Sequence, residues 1–416
     1  MRARLYLSIA AQANTLEGHN NPVIVIGGGA AGILAAISAG RSGSDVILCE
    51  RMNRLGRKVL ASGNGRCNLL NDRLDSSFYN PSSKHLVETA FSRFGKREIL
   101  DFFLELGLHV YSDGGRIFPV TNQSSSVLKV LEMELKRLSV CVEYNFNVTG
   151  ITYANGSFIV SSDSGKSLAG RSVVIACGGK SYPALGSDGS AYKIAKNLGH
   201  TIVEPVPAAV PLLAKNETCH VLQGQKICAH VKGLVDGKTV SEASGDLLFT
   251  KYGLSGTAIL DISRELSVAI NRHNTTDLAV RVDMAPFINR DELETEISER
   301  VKKGVAAEDL LIGILPNKFG MALKKDLISK DPASIAESLK ERRFKVTGTR
   351  GWNEADFTAG GIDVKGICEK SLESKARSGL FFSGEILDVD GKRGGYNLAW
   401  AWSSGFIAGQ EAAAYA

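Results

Sequence analysis

The chain of 416 residues has no Cys-x-x-Cys pair, no internal repeat, no low-complexity tract and no long basic block. Each absence removes a class. Its seven cysteines (Cys49, Cys67, Cys141, Cys177, Cys219, Cys228, Cys368) are scattered and odd in number. That pattern argues against zinc, an iron–sulfur cluster and a vicinal dithiol, so no metal is expected. Cys49 and Cys177 sit inside apolar strands as buried thiols, a usage that fits a reducing, cytoplasmic compartment. The balance of 49 basic against 44 acidic residues leaves a formal +5 with no stripe of cations and aromatics. Neither nucleic acid nor a membrane is therefore an expected partner, and no obligate protein partner is inferred. The seven histidines are isolated, and no acid, base or nucleophile stands out; His200, after Gly199, reads as structural.

Two stretches imitate targeting signals. Val23 to Ala39 is apolar enough for a membrane span, but a glycine loop explains it better. Arg2 and Arg4 ahead of LYLSIAAQA resemble a short signal peptide; residues 1–21 are read instead as an extension without a catalytic role or as a misplaced start.

What is present begins at Pro22. PVIVIGGGAAGILAAISAGRSGSDVILCE reads as a buried strand, a glycine loop, a small-residue helix, a break at Ser42–Ser44, a second strand and an acid. Gly27, Gly29 and Gly32 fit G-x-G-x-x-G in the strand-to-helix setting that a dinucleotide fingerprint requires. Gly27 permits the tight turn, Gly29 lets backbone approach a pyrophosphate, and Gly32 lets the helix pack on the sheet. Glu50 accepts hydrogen bonds from an adenosine ribose. The intervening Gly28, Ala30 and Ala31 supply backbone amides at the helix start, which carry partial positive charge.

The length predicts two or three domains. A nucleotide-binding region is expected over 22–197, with helices at Ser83–Leu106 and Ser126–Leu138. Its strands are expected near Val140–Tyr144, Phe158–Ser161 and Arg171–Ala176. Residues 198–345 read as an inserted substrate domain, strand-rich at Val210–Leu213, Lys226–Val231, Asp246–Thr250 and Leu278–Asp283, then helical over about 290–342. Residues 346–416 return to the nucleotide domain with a strand at Gly379–Ser383 and a helix at Asn397–Ala414.

Three further segments carry chemistry. RKVLASGNGRCNLLN (Arg57–Asn71) bends tightly and presents donors suited to phosphate or a flavin edge, although Asn-Gly also marks surface turns. SVVIACGGK (Ser172–Lys180), followed by Ser181-Tyr182-Pro183, ends a strand in paired glycines that bring backbone close to a ligand. GLFFSGEILDVDGKRGG (Gly379–Gly395) places Asp388 where a carboxylate reaches a sugar alcohol. Gly394 and Gly395 are placed to aim amides at a ring carbonyl.

GRKVLASGNGRCN, GG-x-SYPALGSDG, LLFTKYGLSG, VTGTRGW-x-EA and GEILDVDGKRGGYNLAWAWSSG resemble the BaiN/RdsA family of FAD-dependent oxidoreductases, also described as HI0933-like or aminoacetone-oxidase-like. The resemblance runs from Val23 to Gln410. It implies a glutathione-reductase-type Rossmann FAD domain of α/β class, with an inserted β-barrel-like domain and a small helical domain. It implies that Gly27–Gly32 and Glu50 hold the ADP half, that Arg51 also binds the cofactor, and that Arg57, Lys58, Ser62, Gly63, Asn64 and Asn68 lie near pyrophosphate or flavin. Val148 would contact adenine by backbone, Cys177, Gly178 and Gly384 would line the site, and Asp388, Tyr396, Asn397 and Leu398 would meet the ribityl chain and ring. The usual Thr-Gly-Gly of the second motif is replaced here by Ala176-Cys177-Gly178-Gly179, leaving a threonine hydroxyl unaccounted for.

The expected activity is a small-molecule oxidoreductase whose FAD is reduced by NADH, NADPH or an organic donor and reoxidised by an organic substrate or oxygen. With one G-x-G-x-x-G, a nicotinamide nucleotide would bind only transiently. An aminoacetone-type amine oxidase and a non-catalytic flavin-binding redox sensor are the alternatives. Cys67, Tyr182 and Tyr396 are the candidate catalytic side chains; Cys67, without a partner thiol, reads first as a packing residue.

Overall fold

The computed structural model describes residues 21–415, which divide into two compact units, 21–205 with 357–415, and 206–356. The N-terminal extension therefore lies outside the described residues, apart from Asn21.

The first unit is built on a five-stranded parallel sheet ordered Leu380–Phe382, Ser172–Ile175, Val23–Ile26, Val46–Cys49, Cys141–Glu143. Its three inner strands are buried at every position, as a parallel sheet covered on both faces requires. The helix Ala30–Arg41 packs on the sheet and against the C-terminal helix Tyr396–Ala414. Their contact depends on small residues: a Cβ at Gly405 would lie 2.3 Å from the Ala31 carbonyl oxygen, and one at Gly409 2.1 Å from that of Ala35. An antiparallel meander, Val148–Ala154, Ser157–Ser162 and Ser167–Gly170, completes the region before the insertion.

The expected Ser83–Leu106 helix is two helices, Lys84–Arg93 and Lys96–Glu105, parted at Phe94–Gly95. The Glu98 carboxylate accepts the Gly95 amide at 2.9 Å and so caps the second helix. The helix Ser124–Arg137 is tied to Ala30–Arg41 through the buried Glu134. It accepts from Arg41 Nε at 2.7 Å and from Arg137 Nε and Nη2 at 2.7 and 2.9 Å. Hydrogen bonds from Arg137 and Arg41 outweigh burial and pull the Glu134 carboxyl down to about 2. A depressed carboxyl stabilises the fold above its unfolded value and loses that contribution as pH falls through about 2. Glu134→Gln is accordingly expected to cost roughly 1–3 kcal/mol at pH 7. In thermal melts the gap to the parent should shrink between pH 4.5 and 2; a pH-independent gap would contradict the assignment.

The second unit contains a seven-stranded antiparallel sheet. Its order is Arg342–Lys345, Leu278–Asp283, Lys226–Val235, Lys238–Thr250, Gly253–Ser255, Leu212–Leu213, Gly348–Thr349. The two end strands follow each other in the chain, with only Val346 and Thr347 between them. A flat sheet of this size would hold its edges roughly 29 Å apart, whereas that link reaches only about 11 Å. The sheet therefore curls until its ends meet, as a barrel does. The helix Thr257–Asn271 packs on it, and the helices Arg290–Lys302 and Pro332–Lys340 share its core. Leu293, Ile297, Ile335 and Leu339 join one cluster with Val231, Phe249, Val280 and Phe344.

The unit boundaries fall later than the sequence placed them, for reasons visible in the hydrogen bonding. Residues 346–356 stay with the barrel through Val346 N–Leu278 O, Thr347 N–Leu213 O and Arg350 N–Pro211 O, each 2.9 Å. His200 stays with the first unit, bonded through Nε2 to Ser374 Oγ at 2.8 Å and edge-on to Phe382. Burial pushes its imidazole pKa down, consistent with the structural reading. No helix among the described residues is long and apolar enough to cross a membrane.

Candidate functional site

The glycines of the first motif separate into two kinds. Gly27 has φ +106°, and a Cβ there would lie 2.6 Å from the Ala176 carbonyl oxygen of the neighbouring strand. At Gly32 a Cβ would sit 1.8 Å from the Gly27 carbonyl oxygen. The fold itself requires both. Gly29 is different: no atom lies within 4 Å of the place its Cβ would take. Its smallness serves no internal contact and leaves open space at the head of a helix. Gly29 offers no side-chain cap, and the first turn holds no acid. The amides of Ala30 and Ala31 thus meet that space carrying the positive end of the helix dipole.

Glu50 stands beside this space, buried at the end of its strand. Its Oε2 accepts the Gly28 amide at 2.6 Å and Oε1 the Met52 amide at 2.8 Å. Each oxygen keeps a lone pair for another donor. Burial pushes the carboxyl above its ordinary value, and the two amides hold it down. The 143–148 segment comes alongside, with Glu50 N bonded to Glu143 O and Phe146 N to Glu50 O. Val148, half-buried at the start of its strand, is thereby delivered to this neighbourhood. Arg51 is engaged within the chain: its Nη1 pairs with Asp188 Oδ2 at 2.7 Å. Against the opposing effect of burial, hydrogen bonds from Arg51 and Ser190 bring Asp188 down to about 2.

After Gly56 the short helix Arg57–Ala61 leads into a turn in which Gly63, Asn64, Gly65 and Cys67 all take positive φ. Ser62, Gly63, Asn64 and Asn68 are exposed or half-buried there, as a ligand loop requires. Cys67 is fully buried, and burial pushes its thiol up to about 12. At neutral pH it is an un-ionised packing thiol with no thiolate chemistry. Asn68, with its amide oriented as its neighbours demand, donates to Leu70 O and accepts the Gly395 amide, each at 3.1 Å. The Gly395 amide is therefore engaged within the chain, contrary to the expectation that it points at a ring carbonyl.

The second and third motifs meet the first through a polar knot that sequence reading missed. Lys58 Nζ donates to Glu385 Oε2 at 2.7 Å and to Ser181 Oγ at 2.8 Å. Glu385 Oε1 accepts the Ser181 hydroxyl at 3.1 Å and the Thr358 amide at 2.8 Å. Thr358 Oγ1 in turn accepts the amides of Lys180 and Ser181 at 2.8 and 3.2 Å. A threonine hydroxyl thus braces the second motif after all, supplied by a strand distant in sequence. Cys177, whose thiol burial pushes up to about 12, directs Sγ at the Ile26 carbonyl 3.5 Å away. Gly178 has φ +73° beside Ser187 Oγ.

Gly384 lies against Ala31, where its own Cβ would be 2.7 Å from that methyl; its amide donates to Ser404 Oγ and its carbonyl accepts Trp400 Nε1. Asp388 is buried, with Ser82 Oγ donating to its carboxylate at 3.2 Å and Asn80 Nδ2 to its carbonyl at 3.0 Å. Tyr396 is a buried wall residue, stacked on Phe78 at 4.7 Å and edge-on to Tyr79. The Asn397 side chain braces the preceding loop through both the amide and carbonyl of Gly391. Leu398 packs partly buried against the core. Tyr182 is half-buried with φ +53°. The Tyr192 hydroxyl is buried without a hydrogen-bond partner, and burial, with the charges of Glu385 and Asp388, keeps it a neutral donor.

The three motifs therefore converge on the glycine helix, where an uncapped helix start, a buried carboxylate with acceptor capacity and an open space fit a dinucleotide cofactor. Among the described residues no group of three or more His, Cys, Asp or Glu is placed to hold a metal.

The HI0933-like protein Rossmann domain matches residues 21–411. A 3-dehydro-bile acid delta(4,6)-reductase of Clostridium scindens is 36% identical over 408 residues, covering 94% of this chain and 99% of that protein. A ribosomal RNA dihydrouridine synthase of Escherichia coli is 29% identical over 400 residues, covering 93% and 97%. A 3-ketosteroid-delta4-(5alpha)-dehydrogenase structure from Rhodococcus jostii aligns over 97% of this chain and 98% of its own, with 16% identity and a TM-score of 0.47. The chain belongs to the HI0933-like family of Rossmann-fold flavoprotein oxidoreductases.

Proposed function

We propose that this site holds FAD and that the enzyme adds hydrogen across a carbon–carbon double bond conjugated to a carbonyl in a small organic substrate, with NADH or NADPH as transient donor. The observation that carries the cofactor assignment is the unfilled space at Gly29 beside Glu50. FAD supplies the two-electron hydride exchange that the chain's own side chains lack. In this reading the Ala30 and Ala31 amides meet the pyrophosphate, Glu50 accepts from the ribose diol, and the Val148 backbone borders the adenine. The 57–68 loop, Asp388 and the Tyr396–Leu398 turn surround the remainder, and the Lys58–Glu385 knot holds these pieces in register. Arg51 acts indirectly, by anchoring the Asp188 turn beside Glu50.

The names of two relatives support the acceptor class. One is named a 3-dehydro-bile acid delta(4,6)-reductase and the other a ribosomal RNA dihydrouridine synthase, and both names point to hydrogen added across a double bond. The bookkeeping for this chain is one hydride from the nucleotide and one proton from solvent. They are delivered to the two carbons of the double bond and leave oxidised nucleotide and saturated product. An anaerobic titration with NADH, then NADPH, is expected to bleach the flavin band near ~450 nm with one of them. A yellow protein that neither nucleotide bleaches would overturn the donor assignment and favour an oxidase fed by an organic amine.

A further inference from the structure

We propose that the 206–356 unit carries a binding site of its own for an organic anion with an apolar body. A cleft of about 810 Å³ lies on this unit, within the size range that small-ligand sites occupy. Its floor is apolar, from Leu213 and Ala214, and the exposed Val221 adds apolar lining. One wall is the half-buried Tyr252, whose ring lies 4.7 Å beneath the Arg350 guanidinium. Arg350 is itself fixed by Glu354, with Nε to Oε1 at 2.6 Å, so the aromatic wall is held from behind.

The rim is cationic. Lys215 and Lys251 line it, both exposed, and neither has an ion-pair partner among the described residues. His220 lines it as well. The one acid on the rim, Glu217, is engaged with Lys325 at 3.1 Å. Two unpaired ammonium groups over an apolar floor and a fixed ring select a ligand with a flat hydrocarbon body and an acidic tail. A bare inorganic anion would leave the floor wet, and a neutral hydrocarbon would leave the lysines unanswered. The site is formed by this unit alone, so the inference does not depend on the proposed cofactor or reaction.

The test is a fluorescence titration of the FAD-loaded protein with 8-anilinonaphthalene-1-sulfonate, an aromatic sulfonate of the required chemistry. We expect one saturable site, displaced by cholate but not by inorganic phosphate. The exposed-residue double variant Lys215→Glu/Lys251→Glu should weaken it about tenfold or more. Thr347→Trp, at the exposed rim, should block it sterically while leaving the thermal melt of the protein unchanged as a check on folding. Equal affinity in the charge-reversed variant and in Thr347→Trp would overturn the proposal, as would displacement by phosphate alone.

Discussion

A Gly29→Val variant is expected to fold, to melt close to the parent and to emerge from purification without bound flavin. The reasoning rests on the difference between the motif's glycines. Nothing lies within 4 Å of the Gly29 Cβ position, and its backbone (φ −84°, ψ −171°) is extended, a conformation valine adopts readily. The added Cβ therefore meets no atom beyond its chain neighbours, and the isopropyl group it carries extends into the space assigned to the pyrophosphate. A loss of at least roughly a hundredfold in FAD affinity, about 2.7 kcal/mol, is expected. Gly32→Val serves as the contrast, because a Cβ 1.8 Å from the Gly27 carbonyl oxygen must push the helix off the sheet. That variant should lose folded protein, whereas Gly29→Val should lose only colour. Absorbance per chain after gel filtration, beside a thermal melt, separates the two; a yellow Gly29→Val protein would mean the space is not the cofactor's.

The second large effect is expected at Glu385. Its carboxylate is about one-fifth exposed and gathers the Lys58 ammonium, the Ser181 hydroxyl and the Thr358 amide. Glu385→Ala leaves a half-buried ammonium with only the Ser181 hydroxyl for a partner and strips three further donors, the Ser181 hydroxyl and the Thr358 and Gly179 amides, of their acceptor. We expect a cost of roughly 2–4 kcal/mol. Three segments lose their common anchor, so flavin retention should fall with stability. Glu385→Gln keeps the acceptor oxygen and should recover part of both. Lys58→Met in the Glu385→Ala background should cost less than in the parent, because the stranded charge is gone. Additive losses in that double-mutant cycle would show that the pair does not act as a unit.

The cofactor half of this site was legible because its signal is local. Strand, glycine turn, helix, strand and acid occupy one continuous stretch from Val23 to Glu50. The stereochemical demands on Gly27 and Gly32 follow from that order alone. The Leu278–Asp283 strand was equally readable, as an alternating run buried at every second residue. Sequence missed the helix Thr257–Asn271, although Ala258, Ile259, Ile262, Leu266 and Ala269 recur at helical spacing and are buried. Strand texture on both sides drew attention away from that period. The part of Lys238–Thr250 before Asp246 was missed because its largely exposed residues, KTVSEASG, carry little apolar alternation.

The polar knot was not legible at all. Lys58 and Glu385 are separated by 327 positions and Lys58 and Ser181 by 123. No local pattern links them, and only the folded sheet sets the three motifs side by side. The same holds for Thr358, whose hydroxyl accepts the amides of Lys180 and Ser181 in the second motif from a strand far along the chain. Cys67 shows the converse: a reactive residue type in a promising loop, made inert by complete burial.

The most direct test of the central claim is the oxidative half of the anaerobic experiment. Protein bleached with its nicotinamide donor is mixed with a conjugated cyclic enone, and the flavin absorbance is followed alongside the mass of the recovered organic compound. The account predicts return of the flavin band without oxygen and a product carrying two additional hydrogens. A flavin that stays bleached with every enone, yet recovers at once on admitting air, would contradict it.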